Sequence, residues 1–211
     1  MVQVYDDPCG LARALNVVGD RWALLIVREL LLGPKRFTGL RRGLPGASQS
    51  ILSARLAELE EAGVVLRRYH GPPASAWAYE LTGRGRELET TLLELARWGS
   101  RSPLTSSAEL SVDALALALR TTFNDAAARD LQVRCQLRLD GDCLLVSVHN
   151  GRLSVERAEA RDADLVIETS VAGFRALTFG RARLPTVDAT IRGDRRLATR
   201  LLRLFKRPAV S

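Results

Sequence analysis

Within "SQSILSARLAELEEAGVV", Leu52, Leu56 and Leu59 recur at i, i+4 and i+7, which puts them on one face of a helix. Ser48 stands where a hydroxyl can cap that helix, and Gly63 stands where it must end. Two β-prone runs follow directly, "VVLRRYH" and "WAYELT", around a Gly-Pro-Pro turn. A capped amphipathic helix running straight into a hairpin leaves few folds open, because each must bury its apolar face against the other. The opposite face of the helix is unusual: Gln49, Ser53 and Ala57, with Ser50 beside them, occupy positions where solubilising charges are the ordinary choice.

Upstream, the sequence predicts three more helices. "CGLARALNVVG" is short and amphipathic. "DRWALLIVRELLLGP" is nearly apolar all round, so a buried central helix is expected, capped by Asp20 and stopped at Gly33-Pro34. "FTGLRRGLP" is a third, with Thr38 a candidate cap that would offer the helix amides to a phosphate. After the hairpin, Thr82 starts a helix with an apolar stripe at Leu88, Leu92, Leu95 and Trp98.

This order is that of a winged helix-turn-helix, in which the second helix of the motif enters the major groove of DNA with its N-terminal residues at the base edges. Ser48, Gln49, Ser50 and Ser53 would then read bases, because amides and hydroxyls discriminate donor and acceptor patterns there. Lys35, Arg36, Arg41, Arg42 and Arg55 occur between Pro34 and Ala57 without an intervening acid, a phosphate-contacting footprint. Arg55 lies at the edge of the buried face and either reaches a phosphate or pairs with a nearby glutamate. Arg67 and Arg68, with His70, lie on the wing. Neighbouring strand residues face opposite ways, so at most one arginine points at DNA.

"GSRSPLTSSAEL" reads as a linker and divides the 211 residues into a domain over 1–100 and another over 108–211. The net charge of +7 is spread over both halves. The second half carries several short strands with hairpin signals at Asp140-Gly141-Asp142 and Asn150-Gly151, which predicts an α+β domain with a mostly antiparallel sheet. No apolar run approaches the ~20 residues that span a bilayer. The first ten residues lack a basic and then apolar leader pattern, so a cytoplasmic protein that avoids membranes is expected. Cys9, Cys135 and Cys143 form no C-x-x-C pair, and His70 and His149 are isolated, so neither a metal site nor a cofactor is expected. Cys135 and Cys143 are expected in the core, and Trp22, Trp77 and Trp98 as packing anchors. No nucleophile–base pattern or phosphate loop is present, so the chain reads as no enzyme: "GRGRE" lacks the Lys-Ser/Thr of a P-loop.

The stretch from Cys9 to about Gly99 resembles the HxlR-type winged-helix transcription regulators. The likeness is carried by the early cysteine, "GDRW", "ELLLGPKRF", "LPG", "SQSILSARLAELEEAGVV" and "YELTGRGREL". It implies a homodimer joined by terminal helices that binds a pseudo-palindromic DNA operator, most simply as a repressor. It also implies a candidate oxidant- or electrophile-sensing role for Cys9, against the alternative of a small buried side chain. From Ala108 onward "DADLVIETS" and "DATIRGDRRLATRLLRLF" resemble sterol-carrier-protein-like domains. That resemblance implies an apolar cavity for a small hydrophobic ligand. The rival reading is a hydrophobic-ligand carrier whose winged helix serves only dimerisation.

Overall fold

In a computed structural model of the chain, residues 4–72, 75–104, 106–180 and 182–206 are described. The chain divides into two units, Met1–Leu92 and Leu93–Ser211.

The first unit runs α1 (Gly10–Val18), α2 (Ala23–Leu30), α3 (Phe37–Gly43), α4 (Gln49–Glu61), the strands β1 (Val65–His70) and β2 (Ala76–Leu81), and then α5 (Gly83–Gly99), which continues past the division. Pro73 and Ala74 of the expected turn lie outside the described residues. The core joins Ile26, Val27 and Leu30 of α2, Leu40 of α3, Leu52, Leu56 and Leu59 of α4, and Val65 and Leu81 of the hairpin, all at most 3% exposed. Ser48 caps α4 by accepting the Ile51 N–H at 3.3 Å, and Thr82 Oγ1 accepts the Gly85 N–H at 3.1 Å at the start of α5. A third short segment joins the hairpin: Lys35 N–H donates to Tyr79 O at 2.9 Å, and Tyr79 N–H donates back at 2.8 Å.

Several expectations need correction. Asp20 does not cap α2, which starts three residues later; its carboxylate accepts the Trp22 N–H at 3.2 Å and lies 3.3 Å from Arg55. Nor is α2 apolar all round, since Glu29 on it is fully buried. Thr38 caps nothing, because the pairing of Lys35 with Tyr79 keeps Arg36 extended and moves the cap position there, leaving Thr38 inside α3. The stripe on α5 is covered only in part: Leu92 is buried, whereas Leu95 is 46% and Trp98 66% exposed. Trp77 is likewise 53% exposed on the hairpin, so only Trp22, half-buried, resembles an anchor.

The second unit follows its irregular entry segment with α6 (Val112–Thr122), β3 (Val133–Leu139), β4 (Asp142–His149), β5 (Arg152–Glu156), β6 (Leu165–Thr169), α7 (Val171–Phe179), β7 (Ala189–Gly193) and α8 (Arg195–Leu202). The sheet order is β5-β4-β3-β6-β7, antiparallel except for the β3–β6 pair. Both expected hairpin turns form, with positive φ at Asp140 and Gly141 and at Asn150 and Gly151, the backbone that two-residue hairpin turns require. Leu115 and Leu119 of α6, Phe174 of α7 and Leu201 of α8 close the core together with Leu137, Leu144 and Ile167 of the sheet.

Two buried polar groups are fully engaged. The Gln136 amide donates to Leu144 O and Ala158 O, each at 3.1 Å, while its oxygen accepts the Ala160 N–H at 2.7 Å. Asp113, 3% exposed, accepts from Arg157 at 3.0 and 3.1 Å, and Arg157 also pairs with Asp142. Burial opposes the Arg157 charge, but the two carboxylates outweigh it and its pKa is raised. Cys135 is buried as expected. Cys143 is not: it is half-buried, with Sγ 3.5 Å from Glu159.

Candidate nucleic-acid interface

The turn between α3 and α4 is built by two apolar plugs, Leu44 at 2% and Ala47 at 6% exposure. Together with Leu40 and Leu52 they fix one helix against the other, so the outward face of α4 is set by the core beneath it. Gln49, Ser50 and Ser53 are exposed. Ser50 and Ser53 are turned away from the buried leucines, but Gln49, expected opposite them, stands seven residues before Leu56 on the same side and is exposed as the first residue of the helix. The side chains of Gln49 and Ser53 make no hydrogen bond among the described residues, so their polar atoms are open to an outside partner. Ser48 and Ser50 are partly engaged: Ser48 Oγ caps the helix and lies 3.1 Å from Ser50 Oγ.

The basic residues divide into two groups. Arg41 and Arg42 are exposed at the end of α3, without an ion pair among the described residues, and border a cleft of about 350 Å³ with Thr38, Pro45 and Ala47. Arg36, exposed at the head of the same helix, belongs to neither group, since it also makes an interaction within the fold. The other group is tied inward. Lys35 Nζ lies 2.7 Å from Glu29 Oε2, and its side chain is only 14% exposed. Arg28 approaches the same carboxylate through Nη2 at 2.8 Å and Nε at 3.2 Å. Arg55 pairs with Asp20 and Glu58 and is 18% exposed.

On the hairpin the register pairs Arg67 with Tyr79 and Tyr69 with Trp77, placing these four on one face and Arg68, His70 and Glu80 on the other. The Arg67 guanidinium lies over Trp77 at 5.0 Å and over Tyr79 at 6.0 Å. Arg68 pairs with Glu80 at 3.0 Å, and His70 Nε2 is 4.0 Å from the same carboxylate. Both wing arginines are exposed, yet each is already held by a neighbour.

Sequence reasoning missed the Glu29 hub. A glutamate inside an apolar run was the available signal, but only the reversal at Gly33-Pro34 shows that Lys35 returns over it. It also missed the exposed Tyr69–Trp77 pair, whose ring centres are 5.6 Å apart, because alternation on a hairpin does not say which face is covered.

Cys9 precedes α1 and is exposed. Backbone N–H groups of Leu11 and Ala12 favour its thiolate and lower its pKa. Burial pushes the Cys135 thiol up to about 12 and also raises Cys143, where Glu159 adds to the effect. Iodoacetamide at pH 8 is therefore expected to alkylate Cys9 well before the other two, as followed by peptide mass spectrometry. Equal rates at all three would contradict this order.

Residues 17–105 match the HxlR-like helix-turn-helix family. The HTH-type transcriptional regulator sll1512 of Synechocystis is 32% identical over 107 residues, 47% of this chain and 79% of that protein. The chain belongs to the HxlR-like helix-turn-helix family. YvaP of Bacillus subtilis, also an HTH-type transcriptional regulator, is 38% identical over 88 residues, 42% of this chain and 82% of its own length. Among solved structures, the redox regulator HypR in its oxidized form aligns at 32% identity over 46% of this chain and 100% of that one, with a TM-score of 0.43. A DNA-binding regulator is thus the class in which this HxlR-like chain stands, and no helix among its described residues is long and apolar enough to cross a membrane. The family match ends at residue 105, so the second unit lies beyond it for nearly all its length.

Proposed function

We propose that this chain is a sequence-specific operator-binding regulator that represses by covering its site as a homodimer. The observation that carries the reading is the first half of α4, where the Gln49 amide and the Ser53 hydroxyl are exposed and unengaged, in the segment that follows the Arg41–Arg42 cleft along the chain. Gln can contact adenine through two hydrogen bonds, and Ser can donate or accept. Arg36, Arg41 and Arg42 would hold phosphates and set the register. Lys35 and Arg55 are assigned structural roles instead, because carboxylates already hold both. Ser50 would add a base contact and Ser48 chiefly the cap. On the wing, Arg67 is the better phosphate contact: its aromatic partners leave its charge uncompensated, whereas Glu80 neutralises Arg68.

A second copy is supported by apolar side chains left in solvent, Leu11 and Leu15 on α1 and Leu95 and Trp98 on α5. Two copies would read half-sites about one helical turn apart. Cys9, exposed and with a lowered pKa, is the candidate for electrophile input. The sterol-carrier resemblance of the second unit would call for an apolar cavity there. However, a cavity of about 660 Å³ in that unit is lined by Asp140, Asp142, Glu159, Glu168 and Asp188, a lining unsuited to a hydrophobic ligand.

The test is binding of the full chain to DNA upstream of its own gene, against random DNA, at two salt concentrations. A preference of ~10³-fold or more at physiological salt is the expected result. Equal, salt-sensitive binding to both would overturn the reading. Gln49→Ala should cost ~1–3 kcal/mol on the operator and little on random DNA, whereas Arg42→Ala should weaken both alike and lower the salt slope by about one. Equal losses on both DNAs for the two variants would remove α4 from the base-reading role.

A further inference from the structure

The longest run of uncompensated charge among the described residues lies in the second unit, on α8. Arg196, Arg200 and Arg203 follow at i, i+4 and i+7, so they share one stripe of the helix and its first following turn. All three are exposed, and none has an ion pair among the described residues. Arg195 and Lys206 extend the charge at the two ends. The one acid in this segment, Asp194, caps the helix by accepting the Arg196 N–H at 2.7 Å.

The reverse side of α8 is spent on the core. Ala198, Leu201 and Leu202 are at most 7% exposed, and Leu204 and Phe205 just beyond the helix are buried with them. This excludes one common use of a basic amphipathic helix: lying on a membrane requires an apolar face free to enter it. The stripe also lacks the exposed aromatic and aliphatic groups that anchor protein partners. What remains is a rigid row of guanidinium groups spread over about 10 Å at 1.5 Å of rise per residue. Duplex DNA presents a charge every ~1.7 Å along its axis, and guanidinium forks pair with phosphates through two hydrogen bonds. We propose that α8 is a second DNA-binding surface, which grips the phosphate backbone without reading sequence. The proposal rests on the operator-binding reading, since it supplies sequence-independent affinity to a chain whose α4 supplies discrimination.

The experiment compares the full-length protein with its R196Q/R200Q/R203Q variant. Affinity is measured by fluorescence anisotropy on an operator duplex with long random flanks and on random duplex, from 50 to 200 mM salt. Three lost phosphate contacts at a slope of about 0.9 each predict that the wild type loses at least about 40-fold more affinity across that range than the variant. The operator-to-random preference should stay unchanged. The triple lysine variant R196K/R200K/R203K should restore the wild-type slope, which separates charge from any loss of folding. Arg200→Glu alone repeats the test at one exposed position. A variant slope equal to the wild type, or a changed preference, overturns the proposal. A wild type that binds random DNA as well as operator overturns the operator reading itself, before any variant is made.

Discussion

Glu29→Ala is expected to destabilise the first unit by about 3–5 kcal/mol, the usual consequence of removing one partner from a buried ion pair. Glu29 is fully buried, with Lys35 Nζ at 2.7 Å and Arg28 at 2.8 Å, and both cations are themselves at most 16% exposed. Without the carboxylate, two poorly hydrated positive charges face each other in the core. Such a loss is a large share of the 5–15 kcal/mol that holds a typical domain folded. For a unit of this size it corresponds to a fall in Tm of roughly 15–30 °C, readable by circular dichroism. The fold also reserves space for the carboxylate: a Cβ at Gly43 would collide with Glu29 Oε2, which Lys35 holds in place, so Gly43→Ala should destabilise in the same direction. Adding Lys35→Met to Glu29→Ala should recover part of the loss, because an apolar replacement no longer needs a counter-charge. A Glu29→Ala protein melting within a degree or two of wild type would show that the hub contributes nothing to stability.

Leu56→Ala is expected to cost about 2–5 kcal/mol, from lost burial plus the cavity left behind. Leu56 is 1% exposed on α4, the helix that packs on α2 and β1. Its urea midpoint should fall with little change in m-value, because the same surface is exposed on unfolding. Gln49→Ala, seven residues away at the exposed start of the helix, should leave stability within about 0.5 kcal/mol of wild type. The two residues share one side of α4 at i and i+7, so what separates them is position along the helix: Gln49 stands at its exposed start and Leu56 in its packed middle. A Leu56→Ala protein as stable as wild type would mean that α4 is anchored elsewhere.

Much of the first unit was legible in the sequence because its signals are local. The i, i+4, i+7 leucines, the Ser48 cap, the Gly63 stop and the alternation of the wing each follow from spacing within a few residues. The expectation that Gln49 lies opposite the leucines does not follow from that spacing: Gln49 stands seven residues before Leu56 and so on its side of the helix, and it is exposed because it is the first residue of α4, whereas Ser50, Ser53 and Ala57 are turned further from the leucines. In the second unit the hairpin signals at Asp140-Gly141 and Asn150-Gly151 were equally local. Strand order was not, because nothing along the chain says that β6 returns to lie parallel to β3.

Charge partners were decided by the tertiary structure alone. In the sequence, Lys35, Arg36, Arg41, Arg42 and Arg55 form one basic cluster with a single apparent purpose. Folding separates them: chain reversal returns Lys35 over Glu29, and the loop before α2 brings Asp20 to Arg55. Arg41 and Arg42 remain in solvent beside the turn. Helices and turns follow from short-range periodicity and backbone preference, so the sequence alone determined them. Which charges neutralise one another depends on distances across the fold, and those were set only when the chain packed.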